Sequence, residues 1–131
     1  MPGKPVNDLR GMLAGMEPAL DERAWQFAAD ASVDRTSEAF ALIRETEGTT
    51  LVLPADTKRA SPTFARITLQ VYSDLEGVGL TAAVSTALAN VGIACNVIAA
   101  FHHDHIFVPW DRRQEAMDLL ITLSCEASGR G

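Results

Sequence analysis

The chain has 131 residues, which is long enough for one domain with a substantial core and too short for two large ones. Hydrophobic residues make up 47% of it and charged residues 21%, the balance of an ordinary globular domain. A net charge of −6 argues against a nucleic-acid partner, because binding to the phosphate backbone requires a basic face.

The start of the chain and its cysteines indicate a compartment. The stretch "MPGKPVNDLRG" has no apolar signal core, and no segment approaches the ~18 consecutive apolar residues of a membrane span. Cys95 and Cys125 have neither metal-site nor redox spacing, and such sparse use of cysteine suits a reducing compartment. We therefore expect a cytoplasmic protein with no membrane partner.

The first half of the chain predicts a helix followed by a β-α-β unit. Asn7 can cap the short first helix, which Pro18 ends. Residues 25–31 predict a strand, and residues 36–48 predict a helix whose face combines apolar positions three and four residues apart. The apolar residues of the first helix are Leu9, Met12, Leu13 and Met16, and one face of the second has Ala39, Leu42, Ile43 and Thr46. A strand over residues 49–54 and a polar linker over residues 55–62 follow.

The second half predicts a strand, a helix, a hairpin and a last helix. Apolar and polar residues alternate over residues 64–73, as in a half-buried strand. The following helix has a continuous apolar face and Gly92 as its C-cap. That face consists of Leu80, Ala83, Val84, Ala87, Leu88 and Val91. Residues 94–101 and 105–110 are β-rich and close enough along the chain to form a hairpin.

The last helix follows that hairpin directly. Asp111 and Gln114 resemble a capping box at its start. Its apolar residues are Ala116, Leu119, Leu120 and Leu123. Residues 126–131 are expected to fray into a flexible tail.

The element order, a helix, then β-α-β, then β-α-β-β-α, predicts an α+β sandwich of the ferredoxin-like kind, with helices on one face of a mostly antiparallel sheet. The two β-α-β units also correspond at a shift of 44 residues, which places Gly48 on Gly92, and we interpret this as a structural echo.

The stretch "SDLEGVGL", residues 73–80, places two acids beside two glycines at the start of a helix. Free backbone N–H groups at a helix N-terminus suit a carboxylate, and Asp74 and Glu76 suit an ammonium group. An amino-acid zwitterion carries both charges on adjacent atoms, and Gly77 and Gly79 let the backbone approach it closely. The alternative is a tight turn whose acids only favour the helix dipole.

Residues 64–123 resemble an ACT domain, the regulatory module that binds amino acids in metabolic enzymes and sensors. The resemblance rests on an acid-x-x-Gly loop, a helix with leucine and a Gly-Ile end, and the hairpin "NVIAAFHHDHIFVP". The matching positions are Glu76, Gly79, Val84, Leu88, Gly92 and Ile93, with Asp74 and Gly77 as a second acid-x-x-Gly. The first half is similar to the ACT-like companion segment of a small bacterial family.

The resemblance implies a ligand site formed by the loop and the hairpin. A right-handed crossover makes the strands before them end at one edge of the sheet, so we expect the two to lie close together. The implied ligand-binding residues are Ser73, Asp74, Glu76, Gly77, Val78, Gly79, Leu80, Phe101, His102, His103 and Asp104. A standard ACT unit ends in a strand that is missing here, and we expect the first half, or else a partner subunit, to supply it.

Three other interpretations are weaker. Residues 77–82, "GVGLTA", fit a dinucleotide fingerprint with Asp104 about twenty residues on, but the acids would crowd a pyrophosphate. His103 and His105 could chelate zinc, although a third ligand is not evident. Ser73 or Ser85 near a histidine is only composition, so no catalytic residue, metal or cofactor is expected. Cys95 is predicted to lie in the core, and Trp25 and Trp110 in the core or an interface, rather than to act as functional groups.

The sequence thus predicts a non-enzymatic regulatory protein of the ACT type that binds a small molecule, preferably an amino acid, and forms a homodimer. Residues 1–63 form an ACT-like half and residues 64–125 an ACT domain, both packed as one body. The alternatives are an interaction module that kept the fold without a ligand, and a nucleotide- or metal-dependent enzyme.

Overall fold

The computed structural model describes residues 8–29, 33–55, 62–72 and 77–129. Within them lie six β-strands, three α-helices and two short 3-10 helices. The strands are β1 (Ala19–Ala29), β2 (Ala41–Glu45), β3 (Gly48–Pro54), β4 (Phe64–Leu69), β5 (Asn96–Ala99) and β6 (Asp104–Pro109). The helices are α1 (Leu9–Ala14), α2 (Leu80–Ala89) and α3 (Arg113–Ala127), with 3-10 helices at Val33–Glu38 and Trp110–Arg112.

All six strands belong to one antiparallel sheet with the order β2-β3-β1-β4-β6-β5. The predicted pairing of the strand near residues 66–73 with the strand near residues 105–110 is confirmed, because β4 pairs with β6 from Phe64 opposite Pro109 to Leu69 opposite Asp104. On its other side β4 pairs with β1. The first half of the chain therefore supplies the neighbour that the second half lacks, as predicted.

The helices cover one face of the sheet, as predicted. In β4 the alternate residues Ala65, Ile67 and Leu69 are buried on this face, which is the period-2 pattern of a strand with one covered side. They pack against buried residues from all three helices and from β6. Those residues are Met12, Leu13, Leu80, Val84, Leu88, Ala116, Leu120, Ile106 and Val108.

The opposite face of the sheet is concave. Phe40 lies just before β2, yet its ring centroid is 4.8 Å from that of His105 and 5.9 Å from that of Phe107, both in β6. Three strands separate β2 from β6, so the sheet must curl strongly to bring these rings together. Trp25, Val52 and Phe107 form a second buried cluster here. We call this side of the sheet the concave face.

The predicted helix over residues 36–48 is wrong. Its first residues belong to the 3-10 helix that ends at Glu38, and Ala41–Glu45 form β2, which pairs with β3 through a turn between Glu45 and Gly48. The first half is thus a strand followed by a β-hairpin rather than a β-α-β unit. The 44-residue correspondence also fails, because it would align β2 with helix α2.

Other boundaries differ by smaller amounts. The first strand begins at Ala19, six residues before the predicted start at Trp25. Helix α1 is capped by Asp8, whose Oδ2 accepts a hydrogen bond from the Gly11 N–H at 2.8 Å, whereas Asn7 and the linker residues 56–61 lie outside the described residues. Within the described ranges, no helix combines the length and apolar content needed to cross a bilayer.

Helix α3 starts and ends differently from the prediction. It is preceded by a 3-10 turn and has no side-chain cap, so the Asp111 capping box is wrong, and Gln114 instead donates to Asp118 at 3.1 Å. The helix continues through Ala127, whose carbonyl oxygen accepts from Arg10 Nε at 2.9 Å. The predicted tail over residues 126–131 is therefore wrong for its first two residues, which are helical.

Candidate ligand-binding site at one edge of the sheet

The hairpin tip lies against the residues that lead into the acid–glycine loop. β4 and β5 are both antiparallel to β6, so they run in the same direction and end at the same edge. His103 Nδ1 is 3.5 Å from the Val71 carbonyl oxygen. The Tyr72 ring centroid lies 6.5 Å from that of Phe101 and 6.1 Å from that of His102. Tyr72 directly precedes the loop, so the hairpin and the loop entrance share one edge.

Only the second part of the loop can be placed. Ser73, Asp74 and Glu76 lie outside the described residues, so the structure says nothing of their carboxylates and hydroxyl. Gly77 and Val78 are described, and Val78 is 81% exposed. The loop therefore delivers an exposed apolar side chain directly before the helix.

Helix α2 begins with a glycine as its N-cap. Its N-cap residue is Gly79, with φ at 104°, which supplies no side-chain hydrogen bond to the first turn. Leu80 anchors that turn by burying its side chain in the core. The backbone N–H groups of a first helical turn have no intrahelical partner, and the N-cap residue Gly79 has no side chain to accept from them, which suits an anion.

Helix α1 forms a wall beside this N-terminus. A Cβ added to Gly79 would lie 3.3 Å from two methyl carbons of Leu9, whose side chain remains 40% exposed. Neither Leu9 nor Tyr72 was predicted from the sequence as a site residue. Tyr72 could have been found from its position directly before the loop, whereas the position of Leu9 depends on the packing of α1.

The hairpin contributes an exposed aromatic ring and a partly buried acid. Phe101 is 65% exposed, and its ring lies 5.0 Å from that of His102. Asp104 begins β6 opposite Leu69, and burial raises the pKa of its carboxyl, although the charge of His103 acts in the other direction. The hairpin thus contacts Val71 and Tyr72, which directly precede residues 73–76. On the other side of residues 73–76, Leu9 lies beside Gly79.

A polar cluster that was not predicted from the sequence lies on the concave face. Trp25 Nε1 donates to Asp21 Oδ2 at 2.7 Å, and Arg66 Nη2 is 3.7 Å from Asp21 Oδ1. The Arg66 guanidinium lies 4.2 Å from the centroid of the Phe40 ring. Burial alone would raise the pKa of Asp21, but the hydrogen bond from Trp25 and the charges of Arg66 and Arg23 together hold it below its usual value.

His105 belongs to the same face. Its Nδ1 is 2.9 Å from Thr68 Oγ1, and its ring meets Phe40 edge to face. Burial, followed by the positive charges of Arg66 and His103, lowers the pKa of His105 to about 4. The imidazole is therefore neutral at physiological pH.

The alternative interpretations can be compared with this geometry. The sheet is antiparallel throughout, unlike the parallel sheet of a dinucleotide-binding fold. Among the described residues, no group of three or more His, Cys, Asp or Glu side chains is placed to hold a metal ion. The predicted core positions of Trp25, Cys95 and Trp110 are confirmed. Trp25 is 2% exposed, and the half-buried Cys95 and Trp110 pack against the core between the helices and the sheet.

Comparison with known proteins identifies the family. Residues 59–122 match one description of the ACT domain and residues 4–61 match a second. A solved structure of a Vibrio cholerae protein of unknown function, described as a possible transport protein, is 42% identical in sequence, with a TM-score of 0.73 over 84% of this chain and 91% of that one. The chain belongs to the ACT domain family. It carries two ACT-like segments in tandem, and ACT domains are regulatory modules.

More distant ACT-type structures share the fold. One is that of aspartokinase alpha and beta subunits, at 15% identity and a TM-score of 0.59 over 81% of this chain and 95% of that one. Another is the ligand-free regulatory subunit of aspartate kinase from Thermus thermophilus, at 10% identity and a TM-score of 0.58 over the same shares. None of the curated proteins compared with the chain matches it.

Proposed function

We propose that this ACT protein is a non-enzymatic regulator that binds an amino acid at the shared edge of the sheet. The observation that carries the proposal is the glycine N-cap of α2, because Gly79 makes no side-chain hydrogen bond to the first turn. The Thermus thermophilus protein with the same fold is a regulatory subunit of aspartate kinase, which supports a regulatory role. The Vibrio cholerae relative, as a possible transport protein, is also consistent with a small ligand.

The proposed chemistry divides the zwitterion between two parts of the loop. The ligand carboxylate accepts from backbone N–H groups at the start of α2, where the helix dipole favours negative charge. The ligand ammonium pairs with Asp74 or Glu76. The side chain of the amino-acid ligand faces the exposed apolar residues at this edge, Val78 and Phe101. The hairpin residues His102, His103 and Asp104 complete the polar surroundings.

We further propose that residues 1–63 and 64–125 are two ACT-like halves of one binding unit. The two family matches divide the chain near residue 60, which supports this division. The shared sheet supports a joint function, because the second half uses β1 as a strand beside its own β4.

A thermal-shift screen against the standard amino acids tests whether a ligand binds. A ligand at 100 times its dissociation constant stabilises the native state by about 2.7 kcal/mol, which raises the melting temperature by several degrees in a domain of this size. We expect at least one amino acid to produce this shift. A screen with common nucleotides and zinc in parallel addresses the enzyme alternatives.

The acid variants test where the ligand binds. Asp74→Asn or Glu76→Gln removes a charge-assisted hydrogen bond to the ammonium, so calorimetry should show binding weakened about ten- to a hundredfold, with little change in melting temperature. Asp111→Asn, an exposed acid away from the loop, is the control and should bind normally. Unchanged affinity in both loop variants would remove these acids from the site.

The exposure of Val78 and Phe101 favours a second candidate function, a protein-contact surface on an ACT fold that binds no amino acid. The thermal-shift screen distinguishes between the two candidate functions. Under this alternative no amino acid shifts the melting temperature, and Val78→Ser with Phe101→Ser weakens association with a partner protein instead.

A further inference from the structure

The concave face holds a pocket at the far end of the sheet from the loop. Its volume is about 250 Å³, and its described lining residues are Phe27, Pro62, Phe64 and Asn96. Phe64 begins β4 and Asn96 begins β5, whereas the loop and the hairpin follow the ends of these two strands. The pocket and the edge site therefore lie at opposite ends of the same strands.

Aromatic rings form the walls of the pocket. The Phe27 ring meets Phe64 edge to face, with centroids 5.6 Å apart and planes at 86°. It meets Phe107 in the same way, at 5.3 Å and 77°. Phe27 nevertheless remains 37% exposed, so part of its ring has no protein partner within the described chain. A further aromatic ring can pack against such a surface in the offset or edge-to-face geometry that aromatic pairs prefer.

The polar character of the pocket comes from Asn96. Of its described lining residues, Asn96 is the one with a polar side chain, and its amide both donates and accepts hydrogen bonds. Arg23 and Arg66 both pair with Asp21 on the concave face, and none of the three is among the described lining residues of the pocket. None of the four described lining residues is charged, so a neutral ligand with a complementary amide matches them better than a charged one.

The volume limits the size of the ligand. Pockets for drug-sized molecules measure about 300–1,000 Å³, so a pocket of about 250 Å³ suits a compound with a single ring. From the walls, the polar group and the volume, we propose that this pocket is a second ligand site, which takes a small neutral aromatic molecule bearing an amide-like group. The site is independent of the proposed amino-acid site.

Benzamide is a suitable probe, and two-dimensional ¹H–¹⁵N and ¹H–¹³C NMR measures where it binds. We expect saturable shifts in the Asn96 side-chain amide and in the Phe27 and Phe64 rings, with Tyr72 and Phe101 unaffected. Cyclohexanecarboxamide, which has the amide without the planar ring, and benzoate, which has the ring with a charge, should each bind at least tenfold more weakly.

Variants locate the site and separate it from the amino-acid site. Asn96→Ala should weaken benzamide binding about three- to tenfold through loss of a hydrogen bond. Asn96→Phe fills the pocket and should abolish binding, and Phe27→Ala, which removes a wall, should weaken it at least tenfold. Val78→Ala, at the other end of the sheet, is the control and should leave it unchanged.

Three outcomes overturn the proposal: no saturable benzamide binding, shifts centred on the loop or the hairpin, or unchanged affinity in Asn96→Phe. A melting curve and an amide spectrum for each variant verify that it is folded. Because Asn96 and Phe27 lie away from the edge, amino-acid binding should persist in these variants. Failure at one site is therefore distinguishable from failure at the other.

Discussion

At the scale of single residues, His105 shows how the concave face changes the chemistry of a side chain. Its ring lies between Thr68, which bonds Nδ1, and the edge of Phe40. The charged groups around it are Arg66 on β4 and His103 before β6, both of which oppose a further positive charge. Protonation would therefore cost the native state more than the unfolded chain.

We predict that acid destabilises the protein through His105. The histidine pKa is about 4 in the folded state and about 6.5 in an unfolded chain, so between these values the unfolded state binds more protons. The contribution of neutral His105 to stability is complete above pH 6.5 and is lost as the pH falls towards 4. Urea unfolding at pH 7 and pH 5 should show this loss in the natural protein and a smaller one in His105→Gln.

The exposed His102 provides the matched control for this experiment. His102→Gln should keep the full difference in stability between pH 7 and pH 5. If His105→Gln and the natural protein lose equal stability over this range, another group is responsible. An NMR titration that follows the His105 ring protons measures the same pKa directly. The imidazole should stay neutral down to about pH 5.

At the scale of elements, α2 has a left-handed glycine at each end. Gly79 has φ at 104° and Gly92 has φ at 75°. Gly92 follows the helix in a Schellman-type end, in which the Ile93 N–H donates to the Leu88 carbonyl oxygen at 2.9 Å. The two positions differ in the free space around them. A Cβ added to Gly92 would meet nothing within 4 Å, whereas a Cβ added to Gly79 would contact Leu9.

We predict that alanine is more costly at Gly79 than at Gly92. Gly92→Ala should lower the free energy of unfolding by about 1 kcal/mol, since left-handed backbone strain is its only cost. Gly79→Ala adds the contact with Leu9 and should lose about 2 kcal/mol. Urea unfolding measures both values, and Leu9→Ala in the Gly79→Ala background should recover part of the loss. Equal losses at the two glycines would contradict the assigned contact.

The success of sequence prediction differs between elements for a physical reason. In α2 the predicted face is buried at Leu80, Val84 and Leu88, so local pattern and tertiary packing agree. Leu42 and Ile43 follow Ala39 by three and four residues, which is also helical spacing. They nevertheless lie on the edge strand β2, where they are 42% and 41% exposed. There the pairing with β3 outweighs local propensity, and the five residues of β2, which are of mixed polarity, do not reveal such pairing.

The site was predictable only where it depends on local sequence. The glycine at the start of α2 follows from the acid–glycine motif, and the hairpin follows from two β-rich runs. The concave-face cluster does not, because Asp21, Arg66 and Phe40 are distant in sequence and meet through the curl of the sheet. The contact of Leu9 with Gly79 likewise depends on how α1 packs.

At the scale of the whole molecule, the two halves share one sheet through β1 and β4. We predict that they unfold together, and each half carries one tryptophan to report this. Trp110→Phe leaves Trp25 in the first half, and Trp25→Phe leaves Trp110 in the second. In each variant the urea midpoint from tryptophan fluorescence should coincide with that from far-ultraviolet circular dichroism. Separate midpoints would show that the halves unfold independently.

We also predict a two-fold dimer in solution. Several large apolar side chains remain exposed in the single chain, and a symmetric contact would cover some of them. Leu42, Ile43, Val91 and Ile121 are the candidates away from the proposed edge site. Sedimentation velocity at about tens of micromolar, near usual interface affinities, should give the mass of two chains. A monomer at that concentration is the opposing result.

The order of strands in the sheet has a consequence for the speed of folding. The hairpins β2–β3 and β5–β6 join residues close along the chain, and such hairpins form in about 1–10 μs. The central strands β1, β4 and β6 come from three distant parts of the chain, so two long loops must close before the middle of the sheet exists. Non-local pairing of this kind slows folding towards milliseconds or seconds. Until β1 reaches β4, both strands expose open edges, and a crowded nascent chain is most exposed to aggregation during that interval.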